Sequence, residues 1–229
     1  MFILMQIEER LRDKNIEARR QLILKAAGLL LSRGGLKALS MRKLAEESSL
    51  SVNTLYNLWG NREDILRALT VEAQKQLKAS LPKDISQDDP FEFCRAAMQV
   101  EIRQICRQHE LFRPMMLAWL EGEIGGITSP IEPMANSIKN LTSILNAARD
   151  SGLFETKLSL TALAGQIHHS AQFASIQWAL GRIDDDEFEA RALYGLHLAF
   201  LSLVGEARRE EIHSKIKRLE RKLRTLPES

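Results

Sequence analysis

Cysteine is nearly missing from these 229 residues, and the two present, Cys94 and Cys106, stand twelve positions apart. That spacing puts them on different faces of one helix. They are expected to be small buried hydrophobes in a reducing interior rather than a disulfide. Proline (six) and glycine (twelve) are few and widely spaced, between long runs of Ala, Leu, Glu, Lys and Arg. Such a chain should be almost wholly helical. No run of about 18 apolar residues occurs, so no membrane-spanning helix is expected. The opening FILMQI has no basic stretch before it and meets charges at once, which makes a poor signal peptide. A cytoplasmic protein without membrane contact is the expectation. There is no Gly-rich phosphate loop, no nucleophile elbow and no acid/base pair of distinctive spacing, so the chain does not read as an enzyme. His168 and His169 are adjacent, hence about 100° apart on a helix, and no H-x₃-H or Cys partner accompanies them. Neither a metal nor a cofactor is expected.

Apolar residues are plentiful at 45%, enough for a sizeable core in one or two domains. The net charge of +2 matters less than its placement. Residues 1–70 hold 12 Lys/Arg against 8 Asp/Glu, residues 71–204 hold 12 against 17, and residues 205–229 hold 8 against 5. A basic first part on an acidic body suits a protein that presents one end to DNA.

Residues 40–66, SMRKLAEESSLSVNTLYNLWGNREDIL, organise the rest. Ser40 can cap a helix on which Met41, Leu44, Ala45 and Ser48 share one face. Ser49-Leu50-Ser51 interrupts the pattern, and Ser51 can cap a second helix from about Val52 to Leu58. Leu55 and Leu58 point inward there. Small Ala45 and Ser48 let the two helices cross closely, as in a helix-turn-helix. Asn53 and Asn57, one turn apart on the wet side, can both face a major groove, where an amide pairs with adenine in two bonds. The hydroxyls of Thr54 and Tyr56 suit phosphate oxygens. Arg42 and Lys43 stand at the N-terminal end of the first helix, so charge and helix dipole would act on one phosphate. Asn61 then caps a third helix with Asp64 in a near capping box. Arg62 in its first turn opposes the helix dipole, and a phosphate contact is one gain that could offset this.

This stretch resembles the DNA-binding domain of the tetracycline-repressor (TetR) family. The family pattern is an apolar helix ending in Gly, a Thr/Ser-capped helix, then a turn followed by T-h-Y-x-h-F-x-x-K and an acidic-apolar helix start. Here those features are Gly35, Ser40, the run from Thr54 to Arg62, and Glu63-Asp64-Ile65-Leu66. The resemblance implies phosphate contacts from Ser40, Thr54, Tyr56 and Arg62, and base reading by Arg42, Val52, Asn53 and Asn57. Three positions depart from the pattern: Ser49 stands where Gly is usual, Trp59 where Phe is, and Arg62 where Lys is. A left-handed Ser49 would cost roughly 1–2 kcal/mol.

Elsewhere the periodicity predicts one helix from about Asn15 to Ser32, stopped at Gly34-Gly35, with Ile23, Ala26, Ala27 and Leu30 inward. Residues 2–14 read either as extra helical turns or as a mobile arm. Arg19 and Arg20 either approach the DNA backbone or sit on a solvated helix end. The third helix continues to about Leu81, linking two domains, and the turn-rich PKDISQDDP (82–90) marks their boundary. Further helices are expected near 91–109, 111–121, 134–151, 157–180 and 188–204, with a loop at 122–133. The last two of these have more apolar surface than one core can hide, which argues for a homodimer built on a four-helix interface. Symmetry would then space two reading helices one DNA turn apart, ~34 Å. In the tail (208–226), Ile212, Ile216, Leu219, Leu223 and Leu226 make a short heptad-like seam. It can extend the dimer interface or lie along its own subunit; a basic helix against DNA or membrane is a weaker choice.

For an effector site the candidates are Phe112, Met116, Trp119, His168, Gln172 and Phe173, aromatic and Met side chains with a few polar groups that suit a small apolar or aromatic ligand. The same stripe would also fill an ordinary core. The expectation is therefore an all-α protein with two parts. Residues 1–66 form a three-helix DNA-binding domain, whose link helix continues to 81, and residues 67–229 a larger dimerisation and effector domain. Its partners would be a palindromic double-stranded operator, a second copy of itself and a small effector. The function so implied is a transcriptional repressor released from DNA by that effector; the alternative is a DNA-binding protein whose larger domain contacts another protein instead. The operator sequence, the regulated genes and the effector's identity are not encoded in any motif.

Overall fold

A computed structural model describes residues 2–80, 89–120 and 131–224. Among the described residues the chain forms ten α-helices and no strand: α1 (Phe2–Ala38), α2 (Met41–Ser48), α3 (Val52–Trp59), α4 (Arg62–Ser80), α5 (Pro90–Arg107), α6 (His109–Leu120), α7 (Ile131–Asp150), α8 (Leu160–Ala179), α9 (Asp185–Leu201) and α10 (Glu206–Arg224). None of them is long and apolar enough to cross a membrane. Most of the segments expected as turns at 82–90 and 122–133, and Leu226 of the tail seam, lie outside the described residues.

The chain divides into two compact units. The first comprises residues 1–76 and 110–127, the second 77–109 and 128–229. Residues 2–14 are helical, and α1 runs on past them to a kink at Gly34-Gly35. There Gly35 takes φ 60°, ψ −158°, a conformation that a Cβ would oppose, and the helix resumes for one turn to Ala38. Ile23, Ala26, Ala27 and Leu30 of α1 pack with Leu44, Leu55, Ile65, Leu66 and Leu69 in one core. Helix α6 joins the same core through Met115, with Leu111 and Phe112 packed against it.

In the second unit α9 is central, and α5, α8 and α10 pack against it. Asp184 caps α9, its carboxylate accepting from the Glu187 amide at 2.8 Å. Trp178 is fully buried and stacks on Phe188 at 5.6 Å. The crossing of α8 and α9 is close: a Cβ on Gly195 would lie 2.3 Å from Ser170 Oγ. Phe91 packs against Phe200 and Phe154, with ring centroids 4.8 and 5.7 Å away. Cys94 and Cys106 are both buried and free. Burial, with the Asp89 charge adding to it, pushes the Cys94 thiol up to about 12, so it holds its proton and stays inert.

The tail seam faces its own chain. Ile212 and Ile216 belong to the core of the second unit, and Leu219 packs against it. Ionic and polar contacts fasten α10 along its length. Arg208 bonds Asp89, Lys215 reaches Glu92 at 3.4 Å, Tyr194 donates to Glu220 at 3.2 Å, and Lys222 bonds Asp186 at 2.6 Å. A two-heptad seam and the buried stripe of an amphipathic helix share one spacing, and here the second is realised.

Candidate nucleic-acid interface

The pair α2–α3 is held by local chemistry. Ser40 Oγ accepts from the Lys43 amide at 3.3 Å, and Ser51 Oγ from the Thr54 amide at 3.1 Å. Leu44, Ala45 and Ser48 are buried on α2 and Leu55 on α3. The buried Ser48 hydroxyl donates back to Leu44 O at 2.6 Å. Between the helices Ser49 takes φ 55°, ψ 35°, the left-handed cap. A Cβ there costs about 1–2 kcal/mol, partly offset by the freedom glycine loses on folding. Ser49→Gly is expected to be neutral or to stabilise by up to about 1 kcal/mol, read as the urea midpoint. Marked destabilisation would contradict the strained turn.

This packing leaves one side of α3 in solvent. Asn53, Tyr56 and Asn57 are exposed, Tyr56 by 51% and Val52 by 39%. Thr54 is half-buried, its hydroxyl 2.8 Å from Ser51 Oγ. On α2, Arg42 and Lys43 are exposed, and Arg42 pairs with Glu46 of its own helix at 3.2 Å. Such an exposed i, i+4 pair is worth a few tenths of a kcal/mol and would yield readily to a phosphate. Asn61 Oδ1 accepts from the Asp64 amide at 2.8 Å and so starts α4.

Two arginines also make bonds within the first unit. Arg62 is half-buried and donates from Nη1 to Leu39 O at 3.4 Å, tying the start of α4 to the residue before the α2 cap. Arg20 is half-buried, its guanidinium 5.3 Å from the centroid of Trp59 and its Nη2 3.5 Å from Leu58 O. It is neither a solvated end nor an outward reach. Only Trp59, an aromatic in the motif near a helix rich in Arg, could have signalled this in the sequence.

The six residues picked for an effector are divided by the fold. Phe112 and Met116 lie on α6 in the first unit, Phe112 against its core. Trp119 is also on α6, with its side chain outside the described set. His168, Gln172 and Phe173 lie on α8 in the second unit, where Phe173 is 60% exposed. Burial, and then the neighbouring His169, hold His168 below the usual imidazole range. An open groove of about 510 Å³ lies in the first unit, bounded by Leu24, Leu58, Trp59, Arg67, Val71 and Glu72. None of the six lines it. Among the described residues no three His, Cys, Asp or Glu side chains are grouped to hold a metal.

Residues 23–69 match the family model for bacterial regulatory proteins of the tetR family. An uncharacterized helix-turn-helix-type transcriptional regulator of Haemophilus influenzae is 33% identical over 69 residues, 30% of this chain and 37% of that protein. The chain thus matches little more than a third of that relative's length. Among solved structures, SmeT, the repressor of the Stenotrophomonas maltophilia multidrug efflux pump SmeDEF, superposes with a TM-score of 0.64 at 15% identity, covering 82% of this chain and 91% of that one. TylP, a tetR regulator from Streptomyces fradiae, gives 0.62 at 16% identity over 90% and 97% of the two chains. At these identities the structural likeness shows the shared fold.

Proposed function

We propose, from the match of residues 23–69 to the model of tetR-family bacterial regulatory proteins, a homodimeric repressor that a small apolar or aromatic effector releases from a palindromic operator. The observation that carries this reading is the exposed row Asn53, Tyr56 and Asn57 on α3, backed by buried Leu55. In each subunit α3 enters a major groove. Asn53 and Asn57 read base edges with Val52 and Arg42 beside them, while Ser40, Lys43, Thr54, Tyr56 and Arg62 hold phosphates. Thr54 keeps its single hydroxyl proton for a phosphate when Ser51 is the donor in the bond between them.

The reading divides labour along the chain. Residues 1–66 bind DNA, α4 is the link that transmits, and residues 67–229 dimerise and take the effector. Dimerisation uses α8 and α9, which expose Phe173 and Leu198, with exposed Leu180 capping the end of α8. An effector releases DNA by favouring one spacing of the two heads over the other, which requires unequal affinity for the two states. His168 and Gln172, one turn apart on α8, are the polar groups we assign to it.

Tyr56→Phe is expected to weaken binding to every duplex alike, whereas Asn57→Ala should cost about 1–3 kcal/mol and relax one base position. Both are measured by selecting duplexes from a random pool with each variant; the reverse pattern overturns the roles. Selecting genomic fragments with and without metabolite extracts tests the repressor reading itself. Fragments captured equally in both would remove the effector.

A further inference from the structure

Helix α3 is eight residues long, too short to persist by itself, so its aim depends on what grips its two ends. Its start is held by the Ser51 cap. At its finish, the Tyr56 carbonyl accepts from the Gly60 amide at 2.9 Å and the Trp59 carbonyl from the Asn61 amide at 3.0 Å. The Leu58 carbonyl is one of the terminal acceptors that no residue of α3 can satisfy. Arg20 supplies its bond from α1, 38 residues earlier. The same guanidinium lies over the Trp59 ring, and its Nε is buried without a hydrogen-bond partner among the described residues. An arginine tolerates that only where another surface compensates it, and the electron-rich ring face is that surface. A cation here also faces the negative end of the α3 dipole.

We propose that Arg20 is a positioning residue for DNA reading: stacked on Trp59 and bonded to Leu58 O, it fixes the C-terminal end of α3 against α1 without touching DNA. The proposal rests on α3 being the reading helix. It separates Arg20 from Arg19, its exposed neighbour, although the sequence offers both as basic side chains near the start of the core helix. It also gives Trp59 a use: the broader indole offers the guanidinium more face than a phenyl ring would.

A positioning role and a phosphate contact differ in their salt dependence. Losing a phosphate contact weakens all duplexes and lowers the log–log salt slope by about one; tilting a reading helix weakens the chosen sequence and leaves the slope unchanged. The test compares Arg20→Met, Arg20→Lys, Trp59→Leu and the Arg20→Met/Trp59→Leu double variant with the unaltered chain. The probes are the duplex that the unaltered protein selects from a random pool and a mixed-sequence duplex. Arg20→Met should bind the selected duplex about tenfold more weakly, ~1.4 kcal/mol, with an unchanged slope and mixed-sequence affinity within about twofold. Arg20→Lys, which keeps the charge but not the planar stack, should lose about threefold. The double variant should be no weaker than either single one, because the two side chains act as one contact.

Hydrogen exchange supplies a readout that needs no DNA: amides 56–60 should exchange at least about tenfold faster in Arg20→Met, while those of α2 stay unchanged. A slope reduced by about one, or unchanged affinity for the selected duplex, overturns the proposal. So does unchanged exchange at 56–60. If Arg20→Met fails to fold, Arg20→Lys decides by the same measurements. If no duplex is selected at all, the operator reading fails, and the exchange result still decides whether Arg20 holds α3.

Discussion

Phe173→Glu combined with Leu198→Glu is expected to yield a folded monomer whose operator affinity is at least ~100-fold weaker. Phe173 is 60% and Leu198 45% exposed in the single chain, so neither change opens a cavity or strands a charge in the core. Surface substitutions of this kind usually shift stability by no more than about 0.5 kcal/mol. What they remove is the apolar surface by which two copies of α8 and α9 would associate. Two carboxylates, and their two symmetry mates, would have to be desolvated without partners for the dimer to form. Linking two heads makes the second half-site encounter intramolecular, an advantage of about 10²–10⁴ that a monomer forfeits. Sedimentation equilibrium, a thermal melt and a titration with the selected duplex read the three quantities. A dimer that survives the double change would move the interface off these helices.

Trp178→Ala is expected to cost about 3–5 kcal/mol and so to bring the second unit close to unfolding. The indole is fully buried and stacks on the Phe188 ring, 5.6 Å away with an interplanar angle of 29°. Its Nε1 also donates to Asp185 Oδ1 at 2.7 Å, binding the end of α8 to the first turn of α9. Truncation therefore leaves a large void and takes a partner from a carboxylate. The void cannot collapse cheaply, because α8 and α9 already approach as closely as Gly195 and Ser170 allow. Urea unfolding followed by circular dichroism measures the loss. A change below about 1 kcal/mol would mean that the neighbouring helices close over the site, contrary to the rigidity that the close crossing implies.

How much of this was legible before the fold was known varied with the range of the forces involved. The α2–α3 turn could be read nearly residue by residue. Ser40, Ser51 and Asn61 cap from within three residues, and Ser49 adopts its left-handed turn for reasons local to the turn. The helix at 15–32 was read, but not its one-turn continuation beyond Gly34-Gly35. That kink depends on how Leu36 and Leu39 reach the core. Helix α6 follows α5 in sequence yet packs with the first unit, because Met115 is buried in that unit's core and Leu111 packs against it. Nothing in their spacing names that destination. Nor does spacing say which unit an effector candidate joins: Phe112 belongs to the first and Phe173 to the second.

By itself the sequence determined the helical class, the reading head and its exposed amide row, because caps and the 3.6-residue period act within a turn or two of chain. Only the tertiary structure decided where each apolar stripe is buried: that Ile212 and Ile216 close on their own chain, and that Arg20 turns to Trp59. The physical reason is that apolar burial is non-directional and a cation binds any facing ring or carbonyl, so composition sets the tendency and neighbours choose the partner.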